Sequence, residues 1–207
     1  MNNFSIFGRK IFIIGISKLD FKDYTQSDYI KKLATTLNEG DHAARMDWLS
    51  ALGKADMVKL FELAEDNLSP QYFVDEDKNQ LTEKIHYGKN SLPMFNNFQK
   101  RFAYLDENSQ KQILGYNHQS MAWITGPGYF NVLSSKEGLS SCVIDYNHIP
   151  EKTCSNWPEI EDNNGFPKSL VYGGMQDYMK KISENVSIGR AVIKGKITSN
   201  YFILIKE

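Results

Sequence analysis

The feature that most constrains the fold is a change of hydrophobic periodicity after the first third of the chain. Within residues 27–66, apolar side chains recur every three or four positions, as Leu33 and Leu37 do, and this spacing predicts amphipathic helices. Gly40 and Gly53 interrupt the pattern. Because glycine commonly ends helices, we expect three short helices in this section.

From residue 84 onward, the apolar residues occur in short runs separated by turn signals such as Gly-Pro-Gly at 126–128, which is typical of β-strands. No long helical segment separates these runs, so the strands are expected to pair antiparallel. We therefore predict an α+β protein with a single domain over 1–207. A helical section at 27–66 precedes a strand-rich, mostly antiparallel β-barrel section at 84–207.

Three segments of the second half have less regular patterns. Phe98 and Phe102 follow Pro93 at a spacing of four residues, which favours a short helix begun by that proline. Residues 177–182 are interpreted as one helical turn, and residues 170–172 as a strand.

The charge balance argues against a general nucleic-acid-binding protein. The 207 residues include 24 Lys and Arg against 25 Asp and Glu, for a formal net charge of -1, whereas nucleic-acid binders carry basic patches. Lys100 and Arg101 are too few charges for such a patch, and a solvated helix face explains them. No apolar stretch approaches the roughly 18 residues of a transmembrane helix.

The apolar run at 11–16 is interpreted as a buried strand, because a signal peptide needs roughly seven to fifteen apolar residues and a cleavage site. Cys142 and Cys154 are then expected to be reduced thiols. We predict a cytoplasmic protein. The abundance of Lys, Asn and Ile indicates a bacterial source, and an effector exported without a cleavable signal would have the same features.

Common cofactor and metal motifs are missing from the sequence. Gly189 and Gly195 are spaced wrongly for a phosphate-binding loop, and the chain has no His-Glu-x-x-His, Cys-x-x-Cys or Gly-x-Ser-x-Gly motif,. We therefore predict no cofactor and no metal site.

Two histidines have positions of interest. His86 alternates with Ile85 and Tyr87, so it could face a barrel interior. Asp145 and His148 are three residues apart, and they can meet only if their strand ends before His148.

Aromatic residues with polar tips are the main candidates for a ligand site. Tyrosine and tryptophan suit an amphipathic pocket, although the same rings could simply fill the core. The residues that we expect to line the pocket are Tyr116, Trp123, Tyr129 and Tyr172.

Arg190 is the strongest indication of a ligand site in any single segment of the sequence. Strand alternation places it on one face with Val186 and Ile188,. An arginine on an apolar face needs a carboxylate partner or an anionic ligand. Asp145 or Asp177 could be that partner, in which case the pair is structural.

The C-terminal part of the chain resembles a known bacterial family over about forty residues. The motifs that carry the resemblance are Leu170-Val171-Tyr172, Met175-Gln176-Asp177, Ser187-Ile188-Gly189 and Tyr201-Phe202-Ile203-Leu204. They are similar to the uncharacterised domain that accompanies the GxWxG domain. The resemblance implies a lipocalin-like (calycin) barrel and no particular activity.

Three functions are compatible with these observations. The first is a binding protein that holds a small hydrophobic or amphipathic anionic molecule inside the barrel, with Arg190 at the anion. The second is a cofactor-independent lyase or isomerase in which Asp145 or Asp177 is the base and Tyr172 the proton donor. The third is an interaction module or effector that binds a protein partner through the helices of 27–66.

Overall fold

The computed structural model describes residues 25–75, 77–93, 96–107, 110–119 and 125–207. The chain begins there with three helices, as predicted: α1 (Gln26–Glu39), α2 (His42–Ala51) and α3 (Lys54–Leu63). Thr25 and Asp41 cap the first two helices, because their side-chain oxygens accept hydrogen bonds from the backbone N–H groups of Asp28 and Ala44,.

Eight strands follow the helices and form a closed antiparallel barrel in chain order. Each strand pairs with the next, and the first strand pairs with the last, which removes both sheet edges,. The strands are β1 (Lys84–Asn90), β2 (Asn97–Glu107), β3 (Gln110–His118), β4 (Tyr129–Ser134), β5 (Cys142–Asp145), β6 (Met175–Lys181), β7 (Val186–Ile193) and β8 (Lys196–Lys206). The predicted fold class, helices followed by an antiparallel barrel, is confirmed.

Helices α2 and α3 pack against the outside of the barrel at β7 and β8, and α1 packs against α3. Leu33, Leu49 and Leu60 belong to one buried apolar cluster that also contains Ile188 and Ile203. Because the apolar faces of the helices are used in this contact, the faces that remain exposed are polar. The helical section therefore covers one outer face of the barrel and leaves the interior to the strands.

One end of the barrel is closed by a short 3-10 helix, Pro70–Phe73, which precedes β1. The Phe73 ring stacks on Phe102 of β2, with centroids 4.7 Å apart. His86 of β1 is fully buried, and its Nε2 donates a hydrogen bond to the Phe73 carbonyl at 3.0 Å. This end has the dense aromatic packing of a protein core.

Three assignments of local structure were wrong. Phe98 and Phe102 lie in β2 and not in a helix, because a spacing of four residues also places two side chains on one face of a strand. Residues 177–181 belong to β6, and residues 170–172 form the end of a 3-10 helix and a turn. The strand expected at 11–16 lies outside the described residues.

Candidate functional site

A cavity of about 320 Å³ opens at the end of the barrel opposite Phe73. Its walls are mainly apolar and include Phe98, Met175, Ala191 and Phe202. Leu170 lies at its rim and is 75% exposed. A largely apolar wall around a few polar groups is typical of small-molecule sites.

Four buried polar side chains meet at the inner end of this cavity, and we call them the polar cluster: Lys100, Asn117, Tyr146 and Asp177. Lys100 Nζ donates to Asn117 Oδ1 at 2.8 Å, to Asp177 Oδ2 at 3.1 Å and to the Tyr146 hydroxyl. The Tyr146 hydroxyl lies 3.2 Å from Asp177 Oδ2 and accepts from Asn117 Nδ2 at 3.0 Å. The cluster is thus internally hydrogen-bonded and buries an ion pair.

Strand alternation brings the cluster together. Lys100 shares the inward face of β2 with Phe98 and Phe102, while Asn117 and Asp177 face inward from β3 and β6,. Gly189 of β7 provides room beside them, because a Cβ atom there would lie only 2.2 Å from a ring carbon of Phe202. That ring can therefore pack close to the Lys100 ammonium.

Aromatic rings surround the Lys100 ammonium on several sides. Its Nζ lies 5.0 Å from the ring centroid of Tyr146 and 5.1 Å from those of Phe130 and Phe202, which are cation–π distances. Burial lowers the pKa of Lys100, and the charge of Asp177 opposes that shift,. The site therefore holds a desolvated amine beside its own counter-ion.

The hydroxyl groups of the site remain protonated at neutral pH. Burial, followed by the charge of Asp177, raises the pKa of Tyr146 well above its ordinary value. Burial also raises the pKa of Tyr172. The Tyr172 ring stacks on Tyr146 with centroids 5.3 Å apart, and its Oη accepts from Gln119 Nε2 at 2.9 Å. Two hydroxyls thus lie in or beside the cavity.

Of the residues singled out from the sequence, Tyr172 and Asp177 line this cavity. Arg190 does not, because it points outward from β7 beside the helices. Its Nε donates to the Thr198 carbonyl at 2.9 Å, and its guanidinium lies 4.9 Å from the Tyr201 ring centroid. Neither candidate carboxylate pairs with Arg190, since Asp177 pairs with Lys100 and Asp145 contacts His148. The cation that lines this cavity is Lys100 of β2.

Tyr116 and Tyr129 also lie outside the barrel. They pack with Trp157 and Cys154 beneath the long connection between β5 and β6. Their neighbours in sequence, Gly115 and Phe130, face the interior, so alternation turns the two tyrosines outward. These two rings therefore fill a core outside the barrel and do not line the cavity. Trp123 lies outside the described residues.

Asp145 is separated from the cavity as well. Strand β5 ends at this residue, which lets Asp145 Oδ2 contact His148 Nδ1 at 2.6 Å. Asp145 is buried, whereas the His148 side chain is 74% exposed. The same carboxylate accepts from the backbone and side-chain N–H groups of Asn147. The contact stabilises the turn after β5, and Asp145 is not placed to act on a molecule in the cavity.

Three members of the polar cluster were missed by the sequence analysis: Lys100, Asn117 and Tyr146. The signal for Lys100 was present, since Phe98, Lys100 and Phe102 alternate as the inward face of a strand would. Within the described residues, no group of three or more His, Cys, Asp or Glu side chains is arranged to hold a metal ion. None of the described helices combines the length and apolar character needed to cross a bilayer.

No family model, curated protein or solved structure matches the chain. The resemblance of the C-terminal motifs to the domain that accompanies the GxWxG domain is therefore supported only at the level of the fold. The eight-stranded antiparallel barrel is consistent with a lipocalin-like architecture.

Proposed function

We propose that this chain is a binding protein that holds a small, largely apolar molecule in the barrel cavity, with the polar end of that molecule at the polar cluster. The observation that carries the proposal is the cavity itself, which joins an apolar wall to a buried Lys100–Asp177 pair. Burying an ion pair costs desolvation free energy, and apolar residues of similar volume would pack the same space at least as well. A ligand that uses these donors and acceptors gives the pair a role.

The electrostatics of the cavity favour an uncharged polar end group over an anion. Among its described lining residues, Lys100 is the only cation, and Asp177 already compensates its charge. A ligand carboxylate would be repelled by Asp177 at short range. A hydroxyl or carbonyl group adds no charge, and it can replace one of the internal acceptors of Lys100 or Tyr146 in the polar cluster. The anionic group expected from Arg190 is therefore replaced by a neutral one.

A series of compounds with one carbon skeleton tests this proposal. β-Methylstyrene, cinnamyl alcohol and cinnamate share a phenyl ring and a short unsaturated chain, and they differ only in the end group. We expect cinnamyl alcohol to bind about fivefold to tenfold more tightly than β-methylstyrene, since one buried hydrogen bond contributes roughly 1 kcal/mol. Cinnamate should bind more weakly than the alcohol. Isothermal titration calorimetry measures all three affinities.

Filling the cavity should abolish the binding. Ala191 lines the cavity wall, and Ala191→Phe would place a ring where the ligand lies. We expect at least a tenfold loss of affinity for cinnamyl alcohol. The matched control is Ala55→Phe, which adds the same ring at an exposed position of α3. Equal binding by both variants and the unchanged protein would contradict a site in the barrel.

The second candidate is a cofactor-independent lyase or isomerase in the same cavity. It is favoured by the proximity of Asp177 to two protonated hydroxyls, those of Tyr146 and Tyr172. Asp177 would accept a proton, and a tyrosine would donate one. If the protein has this activity, deuterium from the solvent should be incorporated at the carbon next to the carbonyl of benzylacetone, and NMR can detect it. Asp177→Asn should abolish this incorporation.

A further inference from the structure

We propose that Lys100 captures the carbonyl group of an aldehyde or ketone ligand covalently and reversibly, as a protonated imine. This inference rests on the proposed binding function, because the carbonyl must first enter the cavity. Among molecules with a neutral polar end, it limits the class of ligand to carbonyl compounds. It also gives the buried amine a chemical role.

The position of Lys100 carries this proposal. Its side chain is 3% exposed, yet it contributes to the inner wall of the cavity. It is the only primary amine among the described lining residues. The hydrogen bonds to Asn117, Tyr146 and Asp177 fix the nitrogen at one point, so a carbonyl that reaches the polar cluster meets the amine directly.

The groups around Lys100 supply the proton transfers that imine formation needs. Asp177 accepts one proton from the ammonium, and the neutral amine then forms a C–N bond to the carbonyl carbon. The electron pair of the carbonyl moves to oxygen, which takes a proton from the Tyr146 hydroxyl. The attached nitrogen still carries two protons and a positive charge, and it gives one of these protons to the Tyr146 oxygen, so that a neutral carbinolamine forms. Asp177 then returns its proton, through Tyr146, to the carbinolamine hydroxyl. The nitrogen lone pair forms the C=N bond as the C–O bond breaks, and the hydroxyl leaves as water. In total, an aldehyde and an ammonium group give a protonated imine and water.

Charge is conserved in this reaction, and the surroundings suit both states. The ammonium and the protonated imine each carry one positive charge, so the Asp177 carboxylate is the counter-ion both before and after the reaction. The rings of Phe130, Tyr146 and Phe202 can face either cation,. Burial also lowers the pKa of Lys100, which increases the fraction of nucleophilic amine. No oxidant, metal or added cofactor is required.

Trapping with cinnamaldehyde tests the proposal. Sodium cyanoborohydride reduces an imine to a stable secondary amine, which denaturing mass spectrometry detects and peptide mapping locates. We expect one rapid adduct per chain at Lys100, formed at least tenfold faster than adducts at other lysines. Adducts spread over exposed lysines, with no preference for Lys100, would overturn the proposal.

Two variants keep this test interpretable. Lys100→Met alone leaves the carboxylate of Asp177 buried without a partner, so the double variant Lys100→Met with Asp177→Asn serves if the single one does not fold. Either variant should lose the rapid adduct. Lys136→Met is the matched control, because Lys136 is an exposed lysine in the loop after β4. It should keep the rapid adduct.

Cinnamyl alcohol separates failure of this inference from failure of the proposed function. If the alcohol binds by calorimetry but cinnamaldehyde gives no preferred adduct, the covalent step is wrong and the binding function stands. If the alcohol does not bind, the binding function itself fails. If both are right, an excess of the alcohol should slow trapping at Lys100 at least tenfold and leave the other lysines unaffected.

Discussion

Each end of the barrel interior buries one basic side chain, and the two side chains differ in whether a carboxylate lies beside them. At the closed end, His86 has no carboxylate partner among its described contacts, and burial lowers its pKa to about 3. It is therefore neutral. Its Nε2 is hydrogen-bonded to the Phe73 carbonyl, and its Nδ1 has no hydrogen-bond partner within the part of the chain that the structure describes. At the open end, Lys100 has a carboxylate partner and two further acceptors.

This difference indicates which end is built for a ligand. A neutral histidine is the least costly way to place a polar ring in a packed core, because desolvation disfavours its charged form. The open end instead pairs a desolvated amine with a counter-ion beside an accessible cavity. Such an arrangement is more typical of a functional site than of packing.

A fall in pH should strongly destabilise the fold through His86 at the closed end. An unfolded chain protonates His86 near its ordinary pKa of 6.5, whereas the folded chain does so only near 3. The unfolded state thus binds more protons between these values, and stability falls as the pH falls from 6.5 to 3. The full loss is about 5 kcal/mol. Urea unfolding at a series of pH values measures it.

The variant His86→Gln isolates the contribution of His86 to the pH dependence of stability. Glutamine can donate to the Phe73 carbonyl but does not titrate. The pH dependence of its stability should be flatter than that of the unchanged protein between pH 6.5 and 3. Identical slopes would show that His86 is not buried as a neutral ring, and the contrast between the two ends would disappear.

The next effect concerns the charge pair at the open end. Lys100→Met should destabilise the fold by about 3–5 kcal/mol, because it leaves the carboxylate of Asp177 buried without its partner. Adding Asp177→Asn should recover most of this loss. Chemical denaturation of the two variants measures the difference. A mild effect of Lys100→Met alone would indicate that water solvates Asp177 and that the pair is not buried.

The smallest effect is expected outside the barrel. Arg190 has a backbone hydrogen bond and a cation–π contact with Tyr201, and it is half-buried. Arg190→Met should therefore cost no more than about 1 kcal/mol. It should leave the affinity for cinnamyl alcohol unchanged by calorimetry. A severalfold loss of affinity would indicate that Arg190 contacts the ligand.

The architecture could be predicted from the sequence because it depends on periodicity. The helical spacing within 27–66 and the short apolar runs after residue 84 directly reflect which faces are buried. The turn at 126–128 leads into β4 as expected. These signals are local, so a single sequence contains them.

The site could be predicted only in part, because it depends on which face of each strand turns inward. The apolar outer surfaces under the helices and under the β5–β6 connection make both faces of several strands apolar. Arg190 and Tyr116 therefore share a pattern with interior residues. Lys100 was missed for a related reason, since the spacing of Phe98 and Phe102 fits both a helix and a strand.

Nitrogen-detected NMR of the ¹⁵N-labelled protein distinguishes a ligand site at the open end from one at the closed end, because it observes both ends of the barrel at once. During a titration with cinnamyl alcohol, we expect a saturable shift of the Lys100 Nζ signal and constant signals from the His86 ring. A Lys100 signal that stays constant over the whole solubility range of the alcohol, or equal shifts at His86, would contradict a ligand site at the open end.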